Sequence, residues 1–257
     1  MAYNKEQIAQ YLIRIGLPTD MPQTAETLSR IIRAHFCTVP YENLDIVAGK
    51  PLCLDPQMLF DKIVTRRRGG FCFELNEALG NLLTGMGYRV THLTARFLLG
   101  EPADTVPMRR HHILLVHMPE GDYVCDAGVM REAPRMAIRL IPDQIQSDGI
   151  CDYRIQLHPF YGYIVQQRGA DGAFADVYGF TMEEQVNTDF VMPCFYCEKH
   201  PDSPFNKHAM VGIFTENGAW NLVGDELKRI ENGTVAEKRT VMPAERTAVL
   251  KHYFGLE

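Results

Sequence analysis

The chain is missing the features that define several large protein classes. No apolar run in its 257 residues approaches transmembrane length, so no membrane-spanning helix is expected. The opening residues Met1-Ala2-Tyr3-Asn4-Lys5-Glu6 pass straight into an amphipathic pattern without the apolar stretch of a secretory leader, and a cytoplasmic location is expected. Basic residues never form a long tract. Arg66–Arg68 is too short to be polybasic, and the net charge of −6 argues against nucleic-acid binding by bulk charge. There is no Gly-rich phosphate loop, internal repeat or low-complexity segment. The seven cysteines are odd in number and scattered, which suits reduced thiols better than a disulfide framework. Cys194-Phe195-Tyr196-Cys197 lacks the second Cys pair or His partner of a zinc site, and it does not follow a βα turn. It reads as an accidental C-x-x-C. No metal and no permanently bound cofactor are expected.

What is present is an ordinary globular composition, 46% hydrophobic and 23% charged, with enough length for a large core. Residues 4 to 16 read as a helix with Asn4 as cap and Gln7 at the reciprocal position. Thr24 starts a second helix, on which His35 reads as a hydrogen-bonded core histidine. Asp55-Pro56 opens a third, faced by Met58, Leu59 and Ile63, and Cys72 begins a fourth. Residues 1 to about 88 are therefore expected to be helical throughout. The pattern then turns to β, over Tyr88–Leu99, Ile113–Met118, Tyr123–Ala127, Ile155–Leu157, Tyr161–Gln167 and Phe174–Phe180. Asp171-Gly172 and Asn217-Gly218 are hairpin turns, Asn187–Phe205 a connecting segment, and Pro243 begins a last helix. Helices first and antiparallel strands after make an α+β chain.

The segment that carries chemistry is Arg66-Arg67-Arg68-Gly69-Gly70-Phe71-Cys72-Phe73-Glu74-Leu75-Asn76. Two glycines permit close backbone approaches, and the cysteine falls at the start of a helix. Unpaired N–H groups and the helix dipole favour an anion there, so a thiolate at Cys72 is expected. A nucleophilic cysteine needs a base and an orienting group. His111 and His112 stand at the start of one expected strand and Asp126 at the end of the next, joined by a short turn. A hairpin brings these ends together, so either histidine can complete a Cys–His–Asp triad. Strand alternation sends the two imidazoles to opposite faces, so only one reaches Cys72.

Arg68-Gly69-Gly70-Phe71-Cys72-Phe73-Glu74-Leu75-Asn76 resembles the active-site signature RGGxCxExN of the arylamine N-acetyltransferases. Pro40-Tyr41-Glu42-Asn43-Leu44-Asp45 resembles that family's PFENLD segment, Asp126-Ala127-Gly128 the start of its DVGFG or DAGFG segment, and His200–Phe205 a stretch near entry to its third domain. The resemblance implies an N-terminal helical bundle (1–88), a central antiparallel β-barrel-like domain (89–197) and a C-terminal α/β lid (198–257), around a cysteine-peptidase-like Cys–His–Asp core. It implies ping-pong transfer of an acetyl group from acetyl-CoA, the co-substrate, through a Cys72 thioester to an arylamine or arylhydrazine. The partners it implies are small molecules, with no nucleic acid or membrane and no signal for an oligomeric state.

Alignment of the same motifs makes His111 the base. Tyr41, Phe71 and Val129 are expected in the acceptor pocket, and Arg110 beside it. Arg68 and Glu42 are expected to form an ion pair. Glu74, Asn76 and Gly128 are expected in support of the triad. The chain departs from the family at Val129-Met130, where Phe-Gly is usual, which implies a reshaped acceptor pocket. The alternatives are an amide synthase or a transglutaminase-like thiol acyltransferase or hydrolase with the same triad.

Overall fold

The computed structural model describes residues 2–102, 104–130, 133–169 and 171–257. Helix α1 (Lys5–Arg14) starts at a capping box in which Asn4 Oδ1 accepts from the Gln7 amide and Gln7 Oε1 from the Asn4 amide. In α2 (Ala25–Thr38), capped by Thr24, His35 is fully buried and paired with the Tyr11 hydroxyl at 2.8 Å. A short α4 (Pro56–Phe60) continues into a π-turn over Asp61–Thr65, and Met58, expected on its buried face, is exposed. All of these pack around α5 (Cys72–Gly85), which is buried from Cys72 through Leu83. A helix enclosed on every side must find a partner for each polar side chain it carries.

The expectation of an all-helical first segment fails at Tyr41–Glu42. These residues form strand β1, followed by one helical turn, α3 (Leu44–Val47). Pro40 keeps the preceding residue extended, and the backbone then finds partners on two sides. Glu42 N donates to the Gly70 carbonyl at 2.8 Å, while β1 pairs with β10 (Met210–Thr215). Gly69 accommodates this strap, because a Cβ there would stand 2.1 Å from the Pro40 carbonyl oxygen.

Among the described residues the central sheet has eight strands. In chain order they are β2 (Arg89–Phe97), β3 (Arg109–Met118), β4 (Gly121–Cys125), β5 (Ile138–Arg139), β6 (Gln146–Ser147), β7 (Asp152–His158), β8 (Gly162–Arg168) and β9 (Phe174–Phe180). In space they run β5-β4-β3-β2-β9-β8-β7-β6. The sheet is barrel-like and nearly closed. Gln146 spans its two ends, donating to the Arg139 carbonyl and accepting from the Arg139 amide, each at 2.8 Å. Alternation along β3 sorts two cores. Ile113 and Leu115 face the barrel interior, and Leu114 and Val116 face the helices.

The segment expected to be a connection, Asn187–Phe205, holds helix α6 (Val191–Lys199). Its exposed Val191, Met192 and Phe195 hide the amphipathic pattern. Cys194 and Cys197 sit three apart on its buried face and are free thiols, so the C-x-x-C spacing is a packing feature. The second sheet runs β1-β10-β11-β12-β13, with β11 at Gly218–Val223, β12 at Glu226–Glu231 and β13 at Thr234–Thr240. Helix α7 (Arg246–Phe254) packs on it through Val249 and Phe254. The architecture is α+β, as the order of sequence patterns indicates.

Candidate active site

His111 and Asp126 meet at the end of β4, and Cys72 at the start of α5 lines the same cavity as His111. The His111 Nε2–H donates to Asp126 Oδ2 at 2.6 Å, both groups buried. The ladder explains this pairing. Leu114 pairs with Cys125, which leaves Asp126 one residue beyond β4 and His111 just upstream on β3, both directed to the barrel side. Phe97 and Tyr178 flank the His111 ring with centroids 5.7 and 5.6 Å away. Cys72 and His111 both line a cavity of about 620 Å³.

The carboxylate is held from behind. Asn76, one turn along α5 from Cys72, donates to Asp126 Oδ1 at 2.8 Å and to the His112 carbonyl at 2.6 Å, and accepts from the Ala127 amide at 2.8 Å. The Gly128 amide adds a second donor to Asp126 Oδ1 at 2.7 Å. Gly128 also lies against Cys72, since a Cβ there would be 2.8 Å from Cys72 Cα and 2.6 Å from Asn76 Nδ2. The two residues expected only in support thus form the splint between α5 and the end of β4.

Burial pushes the Cys72 thiol well up, and the charges that Cys197, Cys194 and Asp126 can carry push the same way; the His112 backbone N–H opposes them. The expectation of a thiolate made by the helix start alone therefore meets a larger opposing effect. His111 lines the same cavity as this thiol.

Glu74 and Arg68 lie in a charge network behind the site. Lys62 Nζ is 2.8 Å from both Glu74 Oε1 and Asp45 Oδ2. Arg68 reaches Glu42 at 2.6 Å and Asp45 at 3.4 Å. Glu74 Oε2 also accepts from the Phe71 amide at 2.9 Å, which completes the first turn of α5. Lys62 escaped the sequence reading because it lies in a π-turn with no motif around it. Glu74 thus supports the helix start and does not touch the imidazole or the carboxylate of the site.

Tyr41, Phe71, Val129 and Arg110 all line the cavity, together with Phe97 and Phe205. Phe205 packs edge-on against Phe71 at 4.8 Å, and the Arg110 guanidinium sits 5.2 Å from the Phe205 ring centre. Met130 fills space that Gly212 leaves open, since a Cβ at residue 212 would be 2.0 Å from Met130 Cγ. The side chain gained at 130 is thus accommodated by a residue without one on β10.

His112 turns to the other face of β3. It is fully buried, with Phe190 at a centroid distance of 4.2 Å and His92 Nδ1 3.0 Å from its Nε2. Burial pushes the pKa of both imidazoles down.

A buried cysteine beside a cavity that also holds a His–Asp pair is an arrangement compatible with nucleophilic thiol chemistry. An N-acetyltransferase family model matches residues 24–257. The arylamine N-acetyltransferase of Escherichia coli is 31% identical over 248 residues, covering 96% of this chain and 87% of that protein. That of Mycolicibacterium smegmatis is 31% identical over 251 residues, covering 96% and 90%. Among solved structures, the Salmonella typhimurium arylamine N-acetyltransferase superimposes with a TM-score of 0.93 at 28% identity, over 99% of this chain and 92% of that one. The Mycobacterium marinum arylamine N-acetyltransferase in complex with CoA gives 0.90 at 29%, over 97% and 92%. The chain belongs to the arylamine N-acetyltransferase family, and it is an acetyltransferase. Among the described residues no helix is long and apolar enough to cross a membrane.

Proposed function

We propose that the chain moves an acetyl group from acetyl-CoA to the nitrogen of an arylamine or arylhydrazine, in two steps through a thioester on Cys72. The observation that carries this reading is the 2.6 Å contact between His111 Nε2 and Asp126 Oδ2 beside a cavity that also exposes Cys72. With Nε2–H committed to the carboxylate, Nδ1 is the nitrogen left to accept the thiol proton. The sulfur attacks the acetyl carbonyl, and backbone N–H groups at the start of α5 face the charge that develops on oxygen. As the carbon–sulfur bond to CoA breaks, His111 returns the proton to the leaving thiolate. In the second step the amine nitrogen attacks the thioester, His111 takes the nitrogen's proton, and Cys72 leaves as the thiol after receiving it.

The apolar walls at Phe71, Val129 and Phe205 suit a flat aromatic acceptor, and Arg110 supplies positive charge for an anionic donor. The relative solved with CoA supports that choice of donor. The three-part organisation expected from the resemblance belongs to the same reading, with α6 running across the junction between the second and third parts. A cytoplasmic setting fits reduced, free thiols. Steady-state kinetics with acetyl-CoA and a panel of aromatic amines test the proposal. Parallel double-reciprocal lines are expected, and intersecting lines would indicate direct transfer in a ternary complex.

A further inference from the structure

The rear face of β3 carries a second cluster that the acyl chemistry leaves unused. Glu77 of α5, His92 of β2 and His112 of β3 present their ligand atoms within 4.8 Å of one another. The cluster is built into the interior, with Glu77 2% and His112 0% exposed. The other buried polar side chains of α5 are accounted for: Glu74 by Lys62, Asn76 by Asp126 and its neighbours, and Asn81 Nδ2 by the Glu77 carbonyl and Oε1. Glu77 Oε2 is the exception, a buried carboxylate oxygen with no hydrogen-bond partner among the described residues. It lies 3.4 Å from His92 Nδ1, and that nitrogen is itself 3.0 Å from His112 Nε2. One proton on Nδ1 cannot serve both neighbours well.

We propose that Glu77, His92 and His112 form a site for a divalent transition-metal cation of the zinc type. Two imidazole nitrogens and one carboxylate oxygen make a set that zinc takes readily, with a fourth position for water. Ligands about 2.0–2.1 Å from a tetrahedral ion stand about 3.3 Å apart, close to two of the three edges here, 3.0 and 3.4 Å, the third lying within 4.8 Å. The carboxylate is steadied by Asn81, as a ligand's other oxygen commonly is. Helix α5 makes room for the His92 ring with Gly80, where a Cβ would lie 2.7 Å from His92 Cε1. His92 is the most exposed of the three and gives the ion its route in. The ion would clamp α5, β2 and β3 together directly behind His111, without entering the acyl-transfer cavity.

The test uses the full chain without an affinity tag, in a Cys72→Ala background so that the cavity thiol cannot bind the probe. Zinc is titrated by calorimetry and cobalt by absorption. One equivalent is expected to bind, with visible cobalt bands and no sulfur-to-cobalt charge transfer. The transition temperature is expected to rise by roughly 5–10 °C at a hundredfold excess over Kd. His92→Ala and Glu77→Gln are each expected to weaken binding at least tenfold; Glu77→Gln is nearly isosteric and decides the matter if His92→Ala does not fold. No saturable binding at millimolar ion, a charge-transfer band from sulfur, or parent affinity in a folded variant would overturn the site.

Discussion

His111 and His112 are neighbours in β3 and face opposite sides of it. The first meets Asp126 at 2.6 Å at the barrel mouth, and the second is sealed beneath Phe190 against α5. The two-residue period of a strand forces this division. It gives one imidazole to the cavity and the other to the core, and it separates the acyl chemistry from the cluster with Glu77 and His92.

Asp126→Asn is expected to keep the fold, because Asn76 and the Gly128 amide still find an oxygen there. Its amide no longer accepts the Nε2 proton in a charge-assisted bond, and the imidazole takes the wrong tautomer. Turnover should fall by roughly three to four orders of magnitude, with the melting temperature shifted little. Turnover close to the parent value would remove Asp126 from the proton relay.

Asn76→Ala removes three hydrogen bonds at once, one of them to a buried carboxylate. The unmet Ala127 amide and His112 carbonyl cost about 2–4 kcal/mol together, the lower part of the range for two buried polar groups left unpaired. Urea unfolding should show that loss at unchanged slope. Turnover should fall as well, because the carboxylate loses half of its support. A change below about 1 kcal/mol would mean that water or a neighbour replaces the splint.

Gly128→Ala places a Cβ within 2.9 Å of both the Cα and the Cβ of Cys72. Neither atom is the tip of a flexible chain, so α5 or the segment after β4 must shift. Turnover is expected to drop by more than tenfold, because misplacement by about 1 Å can cost a hundredfold in rate. Equal rates for variant and parent would show that the two elements slide apart freely.

Acid should destabilise the protein through its buried histidines. Burial holds His35 down to about 3, with the Arg14 charge acting the same way, from an ordinary value of 6.5. A depressed pKa means stability that is complete above about pH 6.5 and is lost as pH falls towards 3, since the unfolded chain takes the proton and the folded one does not. The loss is on the order of a few kcal/mol, and His112, also pushed down by burial, adds to it. Melting temperature followed from neutral pH downward should fall more gently in His35→Gln than in the parent. Identical slopes would place the acid sensitivity elsewhere.

Local signals made the front of the molecule legible. Asn4 with Gln7, Thr24, and Asp55-Pro56 each mark a helix start by chemistry confined to one turn. The short turn between β3 and β4 made the approach of His111 and Asp126 readable for the same reason. What escaped depends on partners distant in sequence. β1 exists because Gly70 and β10 supply its hydrogen bonds, and nothing near Tyr41 announces them. α6 was hidden by apolar residues left exposed on its outer side. The β12–β13 hairpin is rich in Lys, Arg and Glu, which reads as solvated loop. Its turn, Asn232-Gly233 with φ of 49° and 75°, was the available signal. Glu77 and His92 lie fifteen positions apart on elements of different periodicity, so their meeting shows only once α5 is laid against the sheet.

The most direct test of the account is to mix the protein with acetyl-CoA in the absence of any amine, quench, digest and weigh the peptides. One equivalent of CoA should be released in a burst, and one acetyl group should appear on the peptide carrying Cys72. The adduct should vanish when an aromatic amine is added, and Cys72→Ala should never form it. Release of CoA only after amine is present, with Cys72 unmodified throughout, would contradict the thioester.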